Sequence, residues 1–440
     1  MDADHPRYDE ARKVWNGMID RRPALIAQCT GVADVRSSVK FAREHDLGVA
    51  VRGGGHNVAG TAVCDDGMVI DLSLMKGMRV DSRRCTARAQ PGLLWGELDR
   101  ETQTFGLACP GGIVTHTGIA GLTLGGGFGW LQRKYGLTCD NLLSADVVTA
   151  DGQFLTISDT EHPDLFWGIR GGGGNFGIVT SFQFRLHPVG PQVLAGLIVH
   201  PFSDAGKVFR HYRSFVATAP DNVTSWVVLR KAPPLPFLPP EVHGKEIFVI
   251  AVLCVGDIKE AEKVLQPLRK FGQPIADVVG PSPFEGFQQA FDPLLTPGAR
   301  NYWKSHNFKE LSDGAIDTII DHAGKLPTPL SEIFVGQLGG AINRVPKDNT
   351  AYPHREANFV MNVHTRWEDK GMDAMCTDWS RKFFDTMAQY ADGGVYVNFI
   401  SEGEDRVSSA FGGNYERLAK LKSKYDPANF FRTNQNIAPK

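Results

Sequence analysis

Val51-Arg52-Gly53-Gly54-Gly55-His56-Asn57-Val58-Ala59-Gly60 is the stretch around which the 440-residue chain is organised. A short apolar strand, residues 48–52, ends in three glycines, and a histidine follows at once. Glycine stands where backbone must turn with positive φ, or pass so close to a ligand that no Cβ fits. Successive bare N–H groups there can form a nest for an anion such as a diphosphate. A histidine against such a nest sits beside whatever carries the diphosphate, which makes His56 the first candidate residue. Taken alone, the stretch is equally compatible with a glycine-rich hairpin carrying a solvated histidine, because short glycine motifs match by chance.

Composition narrows the classes. Lys plus Arg number 47 against 49 Asp plus Glu, a balance that argues against a nucleic-acid or polyanion binder. Hydrophobic residues make up 42%, enough for a sizeable core, and the length suggests two or three domains. No apolar run reaches the ~18 residues needed to span a bilayer. The start, Met1-Asp2-Ala3-Asp4-His5-Pro6, lacks the basic and apolar segments of a signal peptide. Seven cysteines without metal-like pairing read as reduced thiols of a cytoplasmic protein. No His/Asp/Glu/Cys group has metal-ligand spacing, and there is no nucleophile elbow.

Residues 8–20 predict a helix and 25–29 a strand. Residues 30–46 predict a capped helix with Val32, Val35, Val39 and Ala42 along one face, so the opening is β-α-β. Short strands follow at 68–72, 78–81 and 85–90, then a helix over 93–105 that buries Leu94, Trp95, Leu98 and Phe105. A second glycine cluster runs from Thr117 to Trp130, and a hairpin turns at Asp151-Gly152. The third cluster, Arg170 to Gly177, contains G-x-G-x-x-G at Gly172, Gly174 and Gly177. A dinucleotide fingerprint must open a helix after a strand. Here it follows a helix (164–169) and opens a strand (178–186), which rejects a Rossmann reading. Beyond Pro191 the clusters stop. Longer strands at 193–199, 225–231, 247–255, 333–338 and 359–365 alternate with helices, among them 258–270 and 373–390. They predict a second domain at 191–393, an antiparallel sheet backed by helices, with an exposed proline-rich loop at 232–240. The tail returns to a short-strand style, with a strand over 395–400 and a helix over 414–424.

Three glycine clusters imply a long ligand threading past bare backbone, since glycine in a packed core costs entropy and fills no volume. With Arg52-Gly53-Gly54-Gly55-His56, the Gly118-to-Gly129 cluster, Arg133-Lys134-Tyr135-Gly136-Leu137, Asp140-Asn141 and Gly173 to Thr180, the chain resembles the berberine-bridge-enzyme-like FAD-linked oxidases of the vanillyl-alcohol oxidase superfamily. Tyr396-Val397-Asn398-Phe399, Tyr425 to Phe431 and Asn434-Gln435-Asn436-Ile437 extend the resemblance, which covers roughly 1–190 and 395–440 in order. It implies an α+β chain: a PCMH-type FAD-binding domain of two α/β subdomains (1–190), a substrate-binding domain (191–393) and a C-terminal segment (394–440) that returns to the first. It implies FAD, with its diphosphate on the N–H groups of Gly53, Gly54 and Gly55, flanked by Arg52, Asn57 and Gly60, and a covalent bond from His56. Val114, Thr117, Gly118, Gly121 and Leu122 would wall the isoalloxazine, and Gly177, Ile178 and Val179 the adenine. Tyr396, Asn398, Asn434 and Asn436 complete the implied cofactor set. An attacking imidazole must be neutral.

Two departures matter. Bicovalent members carry a cysteine where this chain has Val114, and Cys109-Pro110 imitates their motif five positions too early, so the flavin is expected to be monocovalent. Many members carry Tyr-x-Asn-Tyr, whereas Phe399 ends the motif here, so the usual phenolate base is missing. Other candidates are His116, against a structural hydrogen bond, and Tyr135, against a phenol satisfied by backbone. Asn362 and His364 alternate on one strand and share a side, either the roof of a site or solvent, with Phe399 as a further substrate contact. The resulting expectation is an oxidase that passes hydride from a small or medium organic molecule (secondary metabolite, hydroxylated ring or sugar) to flavin and then to dioxygen, giving hydrogen peroxide. The small Thr117 would leave room for oxygen. A flavin dehydrogenase, an oxygenating relative, or a flavin-fold protein that sequesters a toxic metabolite are the alternatives, and Phe399 slightly favours the last. No nucleic acid, membrane or metal is expected, and the chain is expected to be a monomer or homodimer.

Overall fold

Val49–Arg52, the strand that feeds the first glycine loop, is an edge of a three-stranded parallel sheet in the computed structural model, which describes residues 1–403 and 406–440. The order is Leu25–Gln28, Met68–Asp71, Val49–Arg52, so the predicted β-α-β opening crosses over one position and a later strand fills the gap. The crossover helix, Val32–Glu44, buries Val35, Val39 and Ala42 against Ile70 and Val148. Met68–Asp71 is buried along its whole length, as a central parallel strand covered on both faces should be.

A second sheet is antiparallel, ordered Met78–Asp81, Thr86–Ala89, Ile178–Arg185, Leu142–Val148, Phe154–Ser158. The third glycine cluster leads from the helix Pro163–Ile169 into Ile178–Arg185, the middle strand of this sheet.

The largest sheet has eight antiparallel strands. Its central run is Gln192–Pro201, Glu246–Cys254, Val223–Lys231, Glu332–Gln337, Phe359–Trp367 and Arg300–Phe308. Side chains alternate across a strand. Val227, Ile250, Val335 and Met361 face the helices Ala205–Val216, Ile258–Arg269, Asp313–Ala323 and Asp373–Met387. Their neighbours Val228, Val249, Phe334 and Asn362 face the opposite way, onto a cavity. Residues of the tail (Val397, Ile400, Phe411, Leu418, Ile437) share a core with Trp95, Phe166 and Phe176. Lys422 is wholly buried there and donates to Asn175 O (2.7 Å), Phe431 O (2.9 Å) and Asp426 Oδ2 (2.6 Å).

Several local expectations give way to tertiary contacts. The helix expected over 8–20 is only Tyr8–Ala11, because Asn16 is drawn off to donate to Val58 O (2.7 Å) and Asn301 O (2.9 Å). Phe105 is 46% exposed, since the helix ends at Gln103. Residues 395–400 are not a strand but hold a 3₁₀ turn, Val397–Phe399. A strand would send Tyr396 and Phe399 to opposite faces. The turn instead puts their rings edge to face, 4.9 Å apart. The loop at 232–240 is not simply exposed: Leu238 is buried and Leu235 and Phe237 half-buried. Among the described residues all seven cysteines are free, no helix is long and apolar enough to cross a membrane, and no cluster of metal-ligating side chains occurs.

Candidate active site

The three glycine clusters and the open face of the eight-stranded sheet enclose one cavity of about 370 Å³, within the range of small-molecule sites. The first two clusters touch backbone to backbone. A Cβ on Gly54 would lie 2.5 Å from Gly118 Cα and N, and one on Gly118 would lie 2.5 Å from Gly54 N. These two positions need glycine for packing, which corrects the expectation that a packed interior has no use for it. Gly121 and Gly174 differ: both line the cavity, and a Cβ on either would meet no atom within 4 Å. They form a cradle that side chains would fill. Arg230 and Glu332 are the only Asp, Glu, Lys or Arg side chains among the described lining residues, and both belong to the sheet. An anion lying along Gly53–Gly55 therefore meets backbone N–H groups rather than basic side chains.

His56 lines this cavity at the mouth of the first cluster. Its ring is stacked between Trp15 (centroids 4.3 Å apart, planes at 17°) and His116 (5.1 Å, 28°). Nε2 is shielded from solvent and has no partner. Burial, then the neighbouring His116 and, more weakly, His364 and Arg366, push its pKa down to about 3. The imidazole is neutral across the physiological range, the form a nucleophile requires.

Most of the residues singled out from sequence meet in this one place. Gly53, Gly54, Gly55, Asn57, Val114, Thr117, Gly118, Gly121, Leu122, Gly177, Ile178, Val179, Tyr396, Asn398 and Asn434 all line the cavity, as do Asn362, His364 and Phe399. Asn57 shapes the loop by accepting from Ala59 N (3.0 Å). Tyr396 Oη accepts from Gly127 N (3.1 Å) and Asn398 Nδ2 (2.9 Å), and burial raises its pKa, so the phenol stays protonated. Val114 lines the wall, whereas Cys109 is wholly buried in the core beside Trp95 and away from the cavity.

Five expected contacts fall outside it. Arg52 turns back to Asp71 (3.1 and 2.7 Å), stapling the edge of the parallel sheet. Gly60, at φ +69°, packs against Ile19, where a Cβ would come within 2.6 Å. Tyr135 stacks on His187 (3.9 Å, 14°) and donates to Pro188 O (3.3 Å), because its short helix faces the strand pair at 187–188. His116 stacks on His56 without lining the cavity, and Asn436, half-buried with its Oδ1 shielded, does not line it either.

The roof sets the candidate His364 among residues that the sequence reading passed over. Arg230, Glu332, His364 and Trp303 are register partners on four adjacent strands and form one transverse row facing the cavity. Arg230 Nη1 donates to Glu332 Oε2 (2.7 Å), and Glu332 Oε1 lies 3.2 Å from His364 Nδ1. His364 Nε2 faces Asn301 Oδ1 (3.4 Å), which accepts from Arg366 (3.2 Å). Burial raises the pKa of Glu332, but Arg230 and His364 outweigh it and bring it to about 2. Burial lowers that of His364, with Glu332 opposing.

Two families match along the chain: one described as FAD binding domain, over residues 23–158, and one described as Berberine and berberine like, over 395–438. The FAD-linked oxidoreductase YgaK of Bacillus subtilis (strain 168) is 34% identical over 99% of this chain and 96% of its own length. The chain belongs to the berberine-bridge-enzyme-like FAD-linked oxidoreductases. It is also 29% identical to the (R)-6-hydroxynicotine oxidase of Paenarthrobacter nicotinovorans, over 99% of this chain and 95% of that one. The crystal structure of 6-hydroxy-D-nicotine oxidase from Arthrobacter nicotinovorans aligns with a TM-score of 0.89 at 27% identity, over 100% of this chain and 97% of that one. FAD is therefore the cofactor of this oxidoreductase. The cavity suits it: the Gly121–Gly174 cradle, the bare nest at Gly53–Gly55, and the unpartnered buried atoms His56 Nε2 and Asn434 Oδ1 are what a long, polar, diphosphate-bearing ligand would fill and satisfy.

Proposed function

We propose that this oxidoreductase is an oxidase carrying FAD bonded through His56 alone, with dioxygen as electron acceptor and hydrogen peroxide as product. The observation that carries the reading is that one cavity joins the glycine cradle to the Glu332–His364 row, with His56 at the join. FAD, when bound, supplies the hydride acceptor. Gly53–Gly55 would hold its diphosphate, Thr117 and Gly121 would flank its ring system, and His56, neutral and without a partner at Nε2, would be the covalent anchor. Val114 offers no thiol for a second bond, and the small Thr117 leaves oxygen a path.

Phe399 removes the usual phenolate, and Tyr135 is stacked elsewhere. The proton released by the substrate goes to the Glu332–His364 pair. With Nδ1 donating to Glu332, His364 presents Nε2 to Asn301 Oδ1, an acceptor opposite an acceptor. A proton gained at Nε2 turns that contact into a hydrogen bond and sets an imidazolium against the Glu332 carboxylate. A positioned base of this kind contributes ~10² to 10⁴ in rate. The test is anaerobic bleaching of the flavin over a panel of alcohols and amines, followed by peroxidase-coupled detection of hydrogen peroxide on admitting air. His364→Ala should slow bleaching at least a hundredfold. Binding of panel members without bleaching would favour the sequestering alternative, and bleaching without reoxidation in air would favour the dehydrogenase.

A further inference from the structure

The cavity does not end at the polar row. It runs on along the sheet face past Val228, Ile247 and Val249 and beneath Leu235 and Phe237 of the loop at 232–240. That loop turns by alternation: Pro234 and Pro236 are exposed, while Leu235, Phe237 and Leu238 pack inward onto Val199, Ile247 and Val249. On the side nearer the glycine clusters, Phe399 lies against Trp303 (5.3 Å), Phe128 (5.7 Å) and Phe334 (6.0 Å). Between the apolar end and this aromatic wall, the charged lining side chains among the described residues are Arg230 and Glu332, which neutralise each other at 2.7 Å.

We infer that the substrate is an uncharged, elongated and largely apolar molecule, whose single hydroxyl or unprotonated amine docks on the Glu332–His364 pair and whose hydrocarbon or aromatic body lies under Leu235 and Phe237. This deepens the oxidase reading and rests on it for the location of the reacting end. A carboxylate or ammonium entering the chamber would lose its hydration and find no free counter-charge, since Arg230 and Glu332 are already committed to one another. A saccharide would bury several hydroxyls against Val228, Ile247, Val249 and Leu235, side chains that offer no hydrogen bond, and unpaired buried hydroxyls are costly. An apolar body gains affinity with each methylene it buries, roughly fourfold per CH₂.

The holoenzyme is titrated anaerobically with benzyl alcohol, 3-phenylpropan-1-ol, 5-phenylpentan-1-ol, 5-phenylpentanoate and cellobiose, reading the visible flavin spectrum at mixing times before any bleaching. Affinity should climb about fourfold per methylene along the alcohols, with the carboxylate and cellobiose at least tenfold weaker than the longest alcohol. Leu235→Asp should weaken 5-phenylpentan-1-ol at least tenfold while changing benzyl alcohol less than twofold. Phe237→Ala, which adds no charge, should flatten the chain-length dependence if the aspartate variant does not fold. Tighter binding of the carboxylate or cellobiose, no gain with chain length, or no spectral response to any alcohol would overturn the inference. Failure of the oxidase reading shows separately, as alcohols that bind without ever bleaching the flavin.

Discussion

Changing Glu332 to glutamine keeps the shape of the roof and removes one charge from it. Arg230, 9% exposed in its side chain, is then a buried cation without a counter-ion. Breaking a buried pair from one side costs about 3–5 kcal/mol. The amide oxygen still accepts one hydrogen bond, worth about 1 kcal/mol, and the adjoining cavity admits water, so a loss of about 2–3 kcal/mol is expected. For a cooperative unit of 150–250 residues, 1 kcal/mol moves the melting midpoint by about 2–4 °C, which places the variant roughly 4–12 °C below the parent by calorimetry. Substituting both partners, Arg230→Met with Glu332→Leu, should recover most of that, because matched apolar replacement of a buried pair is near neutral. The pH dependence has a definite sign. The pKa of Glu332 falls from 4.5 to about 2 on folding, so its contribution is present above about pH 4.5 and is lost as pH falls through about 2. The glutamine variant should lose less stability than the parent over that window. A single variant that melts within 1 °C of the parent, or a double variant worse than either single, would show that the row is hydrated and refute the reasoning.

Acid-precipitated parent protein should keep its flavin in the pellet, and the flavin-bearing peptide found by mass spectrometry should contain His56. His56→Ala should release FAD, and a flavin attached to Cys109 would overturn the assignment. Thr117→Ile should slow reoxidation of the reduced flavin in air at least tenfold by stopped flow. Gly118→Ala forces a Cβ to 2.5 Å from the Gly54 backbone. Overpacking of this kind costs about 1–3 kcal/mol, and the rigid contact puts this variant at the upper end, seen as a lower melting point and poor flavin retention. The pKa values of His187 (about 4) and His306 (about 4) both fall on folding from 6.5. The unfolded chain therefore binds more protons below pH 6.5, and stability that is complete above that value is lost progressively as pH falls toward 4. Melting points measured from pH 7 to pH 4 should decline, less so in His187→Asn.

The fold was legible in the sequence where one segment's pattern suffices. The strands at 225–231 and 359–365, the apolar face of the helix after residue 30, and the strand that follows the third glycine cluster all stand where the local pattern puts them. The site was legible through glycine, since clustered glycines mark backbone that must stay bare. What glycine could not tell is whether the bareness serves a ligand, as at Gly121, or another backbone, as at Gly54 and Gly118. Of the Arg230–Glu332–His364 row only His364 stood out in the sequence, because the row itself exists only across strands. Each member sits on an ordinary strand, and nothing within any one segment states which residue will lie opposite. Tyr135 was misplaced for the complementary reason. Its neighbours fit the motif, but the direction of a side chain at the end of a four-residue helix is set by what packs on it.

The buried ammonium of Lys422 has a consequence for the order in which this protein can mature. It joins Asn175 O, beside the third glycine cluster, to Phe431 O near the end of the tail, contacts spanning 247 and 9 residues of chain. On a ribosome adding about 5–20 residues per second, the three clusters emerge long before the segment that completes the core behind them. FAD must then be taken up either by a nascent chain whose site still lacks one side, or after residues 422–437 have emerged and folded. The contacts of Lys422, and of Asn175 Oδ1 with Ile437 N (3.0 Å), favour the second order: the pocket acquires its final wall only when these later-made residues fold back onto the earlier-made sheets.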